Sequence, residues 1–144
     1  VAERLNRIDI LEKDLRQILK QNPENALALN ALGYTLAERT TRLEEALTLI
    51  QKASSIEPND PAVMDSLGWV YYKMGNTEKS LFYLKKAHEM LHDHEIAAHY
   101  GEVLWVTNQK EQAKIVWQEA LKRFPKNNTL LKTMQKFLKE APAR

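Results

Sequence analysis

The chain has 144 residues, 44% hydrophobic and 28% charged, which is enough for one globular or repeat domain and hardly for two. It contains no cysteine, which excludes disulfide bonds, thiol catalysis and cysteine-ligated metal, and it has no apolar run of 18 residues that would predict a membrane span. The formal net charge of +2 combines a basic segment from residue 121 onward, with seven basic residues against one acidic, and a mildly acidic remainder.

The N-terminal segment is a charged amphipathic stretch unlike a signal peptide. Ile8, Leu11 and Leu15 recur at helical spacing, and the pattern stops at Asn22 and Pro23. The pattern over residues 3–23 therefore predicts the second helix of a repeat whose first helix lies upstream. We expect the chain to be part of a longer protein.

Residues 25–58 form the first complete unit. One helix is predicted over 25–39 and a second over 42–56, ending before Pro58. Thr41 followed by Glu44 has the spacing of a capping box, which predicts a defined start for the second helix.

The unit of residues 60–92 repeats this pattern. Asp60 is a favourable N-cap and Pro61 suits the first helical position, so a helix is predicted over 61–74. Gly75 and Asn76 predict the turn to a second helix over 77–91.

The third unit, residues 93–125, begins with Asp93 as a predicted cap. Its helices are predicted over about 94–107 and 110–123. A final helix in residues 127–139 has Leu131, Met134 and Leu138 on one side and Lys132, Lys136 and Lys139 on the other, as expected of a capping helix.

Small residues recur with the period of these units. Gly33, Gly68 and Gly101 lie 35 and 33 residues apart, which indicates a stacked repeat array. We expect the two helices of each unit to cross closely at these glycines and at Ala46, Ser80 and Ala113, with Ala53, Ala87 and Ala120 admitting the next unit. The large residues predicted to fill the core beside the crossings are Leu32, Leu36, Ile50, Leu67, Tyr71, Leu84, Tyr100, Leu104 and Trp117.

The motifs LNALGYTL, DSLGWVYYKMGN and AHYGEVLW, with EEALTLIQKASSIEPND, EKSLFYLKKA and EQAKIVWQEALKRFP as their second helices, resemble the tetratricopeptide repeat family. The resemblance covers residues 8–125. It implies an all-α, right-handed superhelix of antiparallel helix pairs, with about three full repeats, a leading half-repeat helix and a C-terminal capping helix. Ser80, His92 and Ala97 depart from the family's usual residues.

A narrower resemblance implies a location and a partner. GYTLAERTTRLEEAL, DPAVMDSLGWVYYKMGN and EIAAHYGEVLW are similar to the C-terminal repeats of tetratricopeptide lipoproteins of Gram-negative bacteria, which are held at the outer membrane and face the periplasm. Some of these bind a carboxyl-terminal processing protease. The resemblance implies a periplasmic adaptor, for such a protease or for cell-envelope assembly, whose lipid anchor would lie upstream of Val1.

In this family the first helices line the concave face, so their non-core positions predict where a peptide or helix of a partner protein binds. An aromatic stripe flanked by polar groups is typical of such grooves. The predicted partner-binding residues are Asn30, Tyr34, Asp65, Trp69, Tyr72, Lys73, Glu102 and Trp105. The alternative is that Trp69, Trp105 and Tyr34 only pack between adjacent units.

Three other functions have some support in the sequence. His88-Glu89-Met90-Leu91-His92 matches the H-E-x-x-H string of zinc proteases, but the register of the repeats places His92 where a helix ends. The basic C-terminal segment is compatible with nucleic-acid or anionic-surface binding, although a solvated cap explains its lysines, and nucleic acid is not expected. An open end of the stack would allow a homodimer.

No other pattern indicates catalysis. The four glycines do not cluster into a phosphate-binding loop, and the serines lie in helical patterns without a nucleophile motif. We expect a non-enzymatic binding scaffold with no cofactor and no metal.

Overall fold

The computed structural model describes residues 2–139, and the side chains of residues 7–139. Glu140 and Arg144, two charges of the basic C-terminal segment, lie outside this range. The described chain forms eight helices and no strand. The helices are α1 (Ala2–Gln21), α2 (Ala26–Arg39), α3 (Leu43–Ile56), α4 (Pro61–Lys73), α5 (Thr77–Met90), α6 (His94–Val106), α7 (Lys110–Arg123) and α8 (Asn128–Leu138). Within the described range, none of them combines the length and the apolar character needed to cross a bilayer.

Polar caps begin most of these helices. The Asp60 carboxylate accepts a hydrogen bond from the Ala62 N–H at 2.9 Å, and the Asp93 carboxylate accepts from the Glu95 and Ile96 N–H groups. Asn76 caps α5 in the same way directly after Gly75, whose φ of +89° places it in the left-handed region that glycine adopts without strain. The predicted caps at Asp60 and Asp93 and the turn at Gly75 and Asn76 are confirmed.

The capping box predicted at Thr41 and Glu44 is wrong. Arg42 is the residue that precedes α3, and its side chain makes no capping hydrogen bond. The turn is instead held by Thr40, whose hydroxyl oxygen accepts from the Arg42 N–H at 3.0 Å, and by the Leu43 N–H, which donates to the Thr41 carbonyl. The longer turn of this unit moves the start of the helix past the threonine that was expected to cap it.

The helices lie in two layers. Inner helices α2, α4 and α6 pair with outer helices α3, α5 and α7, and short turns make each pair antiparallel. Each outer helix also packs on the inner helix of the next pair, and α1 packs on α2 in the same manner. Because α8 packs chiefly on α6, it takes the place of a further inner helix. The result is an all-α right-handed superhelix.

The glycine crossings are as predicted. A Cβ on Gly33 would lie 2.5 Å from Ile50 Cγ1, and a Cβ on Gly68 would lie 2.5 Å from Leu84 Cγ. A Cβ on Gly101 would overlap the Trp117 indole, which is fully buried. The paired helices therefore approach closely only where the first helix has no side chain.

The apolar face of α8 differs from the prediction. Leu130 and Phe137 are buried and face α6, and the Phe137 ring stacks 6.1 Å from the ring of Trp117. Leu131, expected in the core, is 40% exposed, while Met134 and Leu138 pack beside the core as expected. Residues 130 and 137 lie two helical turns apart, so they share the face that meets α6. Lys132, Lys136 and Lys139 are exposed.

Candidate functional site

The candidate site is the concave surface formed by the inner helices, here called the groove face. Several of its residues lie at corresponding positions of successive repeats, such as Tyr34, Trp69 and Glu102, each of which directly follows a crossing glycine. The groove face comprises Asn30, Tyr34 and Glu38 on α2, Asp65, Trp69, Tyr72 and Lys73 on α4, and Glu95, His99 and Glu102 on α6.

The centre of the groove face is a buried histidine that joins three repeats. His99 is 6% exposed, and its Nδ1 lies 2.9 Å from Asp65 Oδ1 on α4. Its Nε2 lies 3.3 Å from the Tyr34 hydroxyl on α2. The Trp69 ring stacks on the imidazole with 4.0 Å between ring centroids. One imidazole therefore ties side chains of α2 and α4 to α6.

The surrounding carboxylates decide the protonation of this histidine. Burial by itself lowers the pKa of His99, but the negative charge of Asp65, its hydrogen bond, and the charges of Glu95 and Glu102 outweigh burial and raise the pKa. As a cation the ring donates from both nitrogens, to the Asp65 carboxylate and to the Tyr34 hydroxyl oxygen. Burial, followed by the charges of Glu95, Glu38 and Asp65, raises the pKa of Tyr34, so its hydroxyl stays neutral.

A second group of contacts lies on the α2 side of this centre. The Trp69 Nε1–H donates to Glu38 Oε1 at 2.8 Å. The Lys73 ammonium lies 5.0 Å above the Trp69 ring and 4.0 Å from Glu38 Oε1. The indole is thus enclosed between His99 on one side and a lysine–glutamate pair on the other.

A third contact links α4 to α6. The Tyr72 hydroxyl donates to Glu102 Oε2 at 2.9 Å, and burial with the charge of Glu102 raises the pKa of this tyrosine. Both side chains are half-buried, so part of the phenol ring and of the carboxylate faces solvent. This hydrogen bond brings no positive charge to Glu102, because the phenol is neutral.

Three of the predicted partner-binding residues, Trp69, Trp105 and Asp65, are buried and do not stand free on the groove. Trp69 is 5%, Trp105 7% and Asp65 6% exposed. Trp69 is covered by His99 and Glu38, and Trp105 turns toward the rings of Trp117 and Phe137. The alternative of packing between units describes Trp69, whereas Trp105 packs on a ring of its own unit and on a ring of α8. Asn30, Tyr34, Tyr72 and Glu102 are half-buried and Lys73 is exposed; a role for any of the eight in binding stays a prediction.

His99, the centre of the cluster, is not among the residues that the sequence predicted for the site. A histidine inside the otherwise apolar stretch Ile96–Gly101 was the available signal, because a buried imidazole needs polar partners. Those partners, Asp65 and Tyr34, lie 34 and 65 residues away, and no local pattern connects them.

The H-E-x-x-H string does not form a zinc-protease helix. Helix α5 ends at Met90, so His88 is helical, whereas His92 lies past the end of the helix. The two imidazoles meet edge to face at 5.0 Å, in a pocket of about 220 Å³ that Glu119, Arg123 and Phe124 also line. Among the side chains of residues 7–139, no three histidine or acidic groups converge in a way that could hold a metal ion.

Paired helices stacked in two layers, with crossings at periodic glycines and a groove lined by the inner layer, define a helical-repeat protein. The profile of the family described as Tetratricopeptide repeat matches residues 4–134. The chain belongs to the tetratricopeptide repeat family.

Similar proteins agree with this assignment. The chain is 51% identical over 102 residues to the TPR repeat-containing protein PA4667 of Pseudomonas aeruginosa strain PAO1, a match that covers 71% of the chain and 17% of the relative. The chain thus spans about a sixth of that relative's length.

Solved structures share the fold. TTC0263, a thermophilic TPR protein of Thermus thermophilus, superposes with a TM-score of 0.79 at 20% identity, over 94% of this chain and 75% of that one. The first TPR of Spaghetti (RPAP3), bound to the HSP90 peptide SRMEEVD, superposes with a TM-score of 0.67 at 16% identity, over 79% and 90% of the two chains.

Proposed function

We propose that the chain is a non-enzymatic interaction scaffold that binds a peptide or a helix of a partner protein in its groove. The observation that carries this proposal is the contact of His99 with Asp65 and Tyr34, which fixes the groove face of three consecutive repeats as one unit. The family assignment supports it, since tetratricopeptide repeats are generally scaffolds.

Preorganisation is the physical advantage of this arrangement. Binding orders side chains at an entropic cost, and groups that are already held in place avoid most of that cost. On the groove face, Tyr34 and Tyr72 are held by hydrogen bonds yet remain partly exposed. They offer aromatic area together with a polar end, a combination common at interaction hot spots.

The test is a selection of binders from a random library of displayed 12-residue peptides, with the 144-residue chain as the target. We expect enriched peptides whose affinity for Tyr72→Ala falls by about tenfold or more, the size of a hot-spot loss, while Tyr83→Ala leaves their affinity unchanged. Tyr83 is the matched control, since it is a half-buried tyrosine on the outer helix α5. Circular dichroism establishes that both variants are folded. Peptides that lose affinity equally for both variants, or no enrichment at all, would contradict binding in the groove.

We further propose that the full-length protein acts in the cell envelope, facing the periplasm from an outer-membrane lipid anchor, as an adaptor for a carboxyl-terminal processing protease. The supporting observations are the motif similarity to lipoprotein repeats and the 51% identity to a Pseudomonas aeruginosa relative. Cell fractionation, followed by affinity purification of the full-length protein with and without Tyr72→Ala, tests this. Recovery in the cytoplasm, or no protease in the purified fraction, would overturn it.

A further inference from the structure

We propose that the groove binds a partner segment that carries lysine or arginine, and that Glu95 and Glu102 receive its positive charge. This inference rests on the function proposed above, because it specifies the chemistry of the segment that the same groove takes.

The charge of the groove face favours a basic ligand. Four of its ten residues are carboxylates, namely Glu38, Asp65, Glu95 and Glu102, and one is a lysine. Asp65 is paired with His99, and Glu38 with Lys73. Glu102 is hydrogen-bonded to the neutral phenol of Tyr72. The half-buried Glu95 lies one turn from His99 on the same face of α6 and is hydrogen-bonded to the neutral phenol of Tyr34. Ion pairs on the groove face thus neutralise the charges of Asp65 and Glu38. Among the described residues of the groove face, no ion pair neutralises the charges of the two carboxylates on α6.

The pairing of carboxylates with aromatic rings favours the same ligand. A lysine or arginine lays its aliphatic stem on a ring while its charged end meets a carboxylate. The molecule contains this arrangement once already, where Lys73 lies over Trp69 beside Glu38. Tyr72 beside Glu102 is a second pairing of a ring with a carboxylate on the groove face, between α4 and α6.

These features disfavour an acidic segment. The peptide bound to the RPAP3 repeat, SRMEEVD, has three acidic residues and one basic residue. A segment of that charge would meet Glu95 and Glu102 as like charges, which opposes binding. This chain and that neighbour share the fold, and the groove charge of this chain favours partners of the opposite sign.

The library selection described above tests the inference by the sequences that it enriches. We expect an excess of lysine and arginine in peptides that depend on Tyr72. We also expect the double variant Glu95→Gln with Glu102→Gln to bind the strongest of them about tenfold more weakly, in keeping with the loss of charge-assisted contacts. Glutamine keeps an acceptor for Tyr72, so the variant removes charge with little change of shape.

The control is Glu78→Gln with Glu111→Gln, which removes two exposed carboxylates at equivalent positions of the outer helices α5 and α7. Its affinity should stay within about twofold of the unaltered chain, because surface charges away from the contact contribute little. Acidic or neutral peptides that depend on Tyr72, or basic ones that are indifferent to Glu95 and Glu102, would overturn the inference and leave the scaffold function standing. Enriched peptides whose affinity is the same for Tyr72→Ala as for the unaltered chain would overturn both the inference and the proposed function.

Discussion

The inner helices have two buried sides that are built in different ways. On the crossing side, Gly68 meets Leu84 and Gly101 meets Trp117, and the contact is apolar and steric. On the groove side, His99 meets Asp65 and Tyr34 through hydrogen bonds. The crossing contacts join the two helices of one repeat, whereas the groove contacts join different repeats. Shape therefore holds each pair together, while polar side chains fix the repeats relative to one another across the groove.

The largest effect is expected on the crossing side. Gly101→Val places a branched side chain inside the volume of the Trp117 ring, and neither the buried ring nor the helix backbone has room to move. We expect a loss of about 5 kcal/mol or more, the scale of the whole stability of a domain, measured by urea denaturation. Gly75→Ala is the control, because nothing lies near its Cβ and the strain of its positive φ costs only about 1 kcal/mol. Equal losses for both variants would show that steric fit at the crossing is not decisive.

The next largest loss of stability is expected when Trp69, the largest ring on the groove side, is removed. Trp69→Ala should lower the free energy of unfolding by about 3 to 5 kcal/mol, because the indole is buried and stacks on His99. Trp69→Phe retains a ring but loses the hydrogen bond to Glu38, so its loss should be smaller, about 1 to 2 kcal/mol. A melting temperature that is unchanged in Trp69→Ala would show that the ring contributes nothing to the packing of the groove side.

The charge of the groove cluster is tested by Asp65→Asn. Because the pKa of His99 is raised in the folded chain, its contribution to stability is complete below its ordinary value of 6.5 and is lost as the pH rises through the raised value. The groups that face the imidazole are Asp65, Tyr34 and Trp69 from neighbouring helices and Glu95 and Glu102 from its own. The gap in stability between the unaltered chain and the variant should be about 2 kcal/mol near pH 6 and should narrow toward about pH 9.

Denaturation at a series of pH values measures this gap. His99→Gln serves as the control, since a chain without the imidazole should lack this pH dependence when Asp65 is replaced. A gap that stays constant between about pH 6 and pH 9 would mean that the histidine is neutral in the folded chain.

The smallest effect is expected away from the crossing and groove contacts, in an ion-pair cluster between α1 and the start of α3. Hydrogen bonds from Arg42 and Arg16 lower the pKa of Glu12 from 4.5 to about 2. The stability that Glu12 contributes is therefore present above pH 4.5 and is lost as the pH falls toward 2. Glu12→Gln should lower stability by about 0.5 kcal/mol at about pH 7, and about 0.5 M NaCl should shrink the difference, as is typical of surface ion pairs. An undiminished difference in salt would indicate a packing effect instead.

The same contrast explains what could be predicted from the sequence. Crossing contacts recur once per repeat, so the spacing of Gly33, Gly68 and Gly101 predicted the helix pairs and the core around Ile50 and Leu84. Groove contacts occur once in the chain and join residues 30 or more apart, so no periodic pattern indicates them. Helical spacing placed Trp69 on the groove side of α4 correctly, but it could not show that His99, from another repeat, covers the ring.

Trp69 also gives the chain a built-in optical signal. Its indole stacks on His99, whereas the other two indoles, Trp105 and Trp117, stack on each other 5.8 Å apart. A protonated imidazole quenches the emission of an adjacent indole, so the brightness of this one ring reports the charge of the histidine beneath the groove. A ligand cation placed near Glu95 and Glu102 would offset their negative charge and so lower the pKa of His99. Occupancy of the groove should therefore be visible as a gain in tryptophan emission, without attaching any dye.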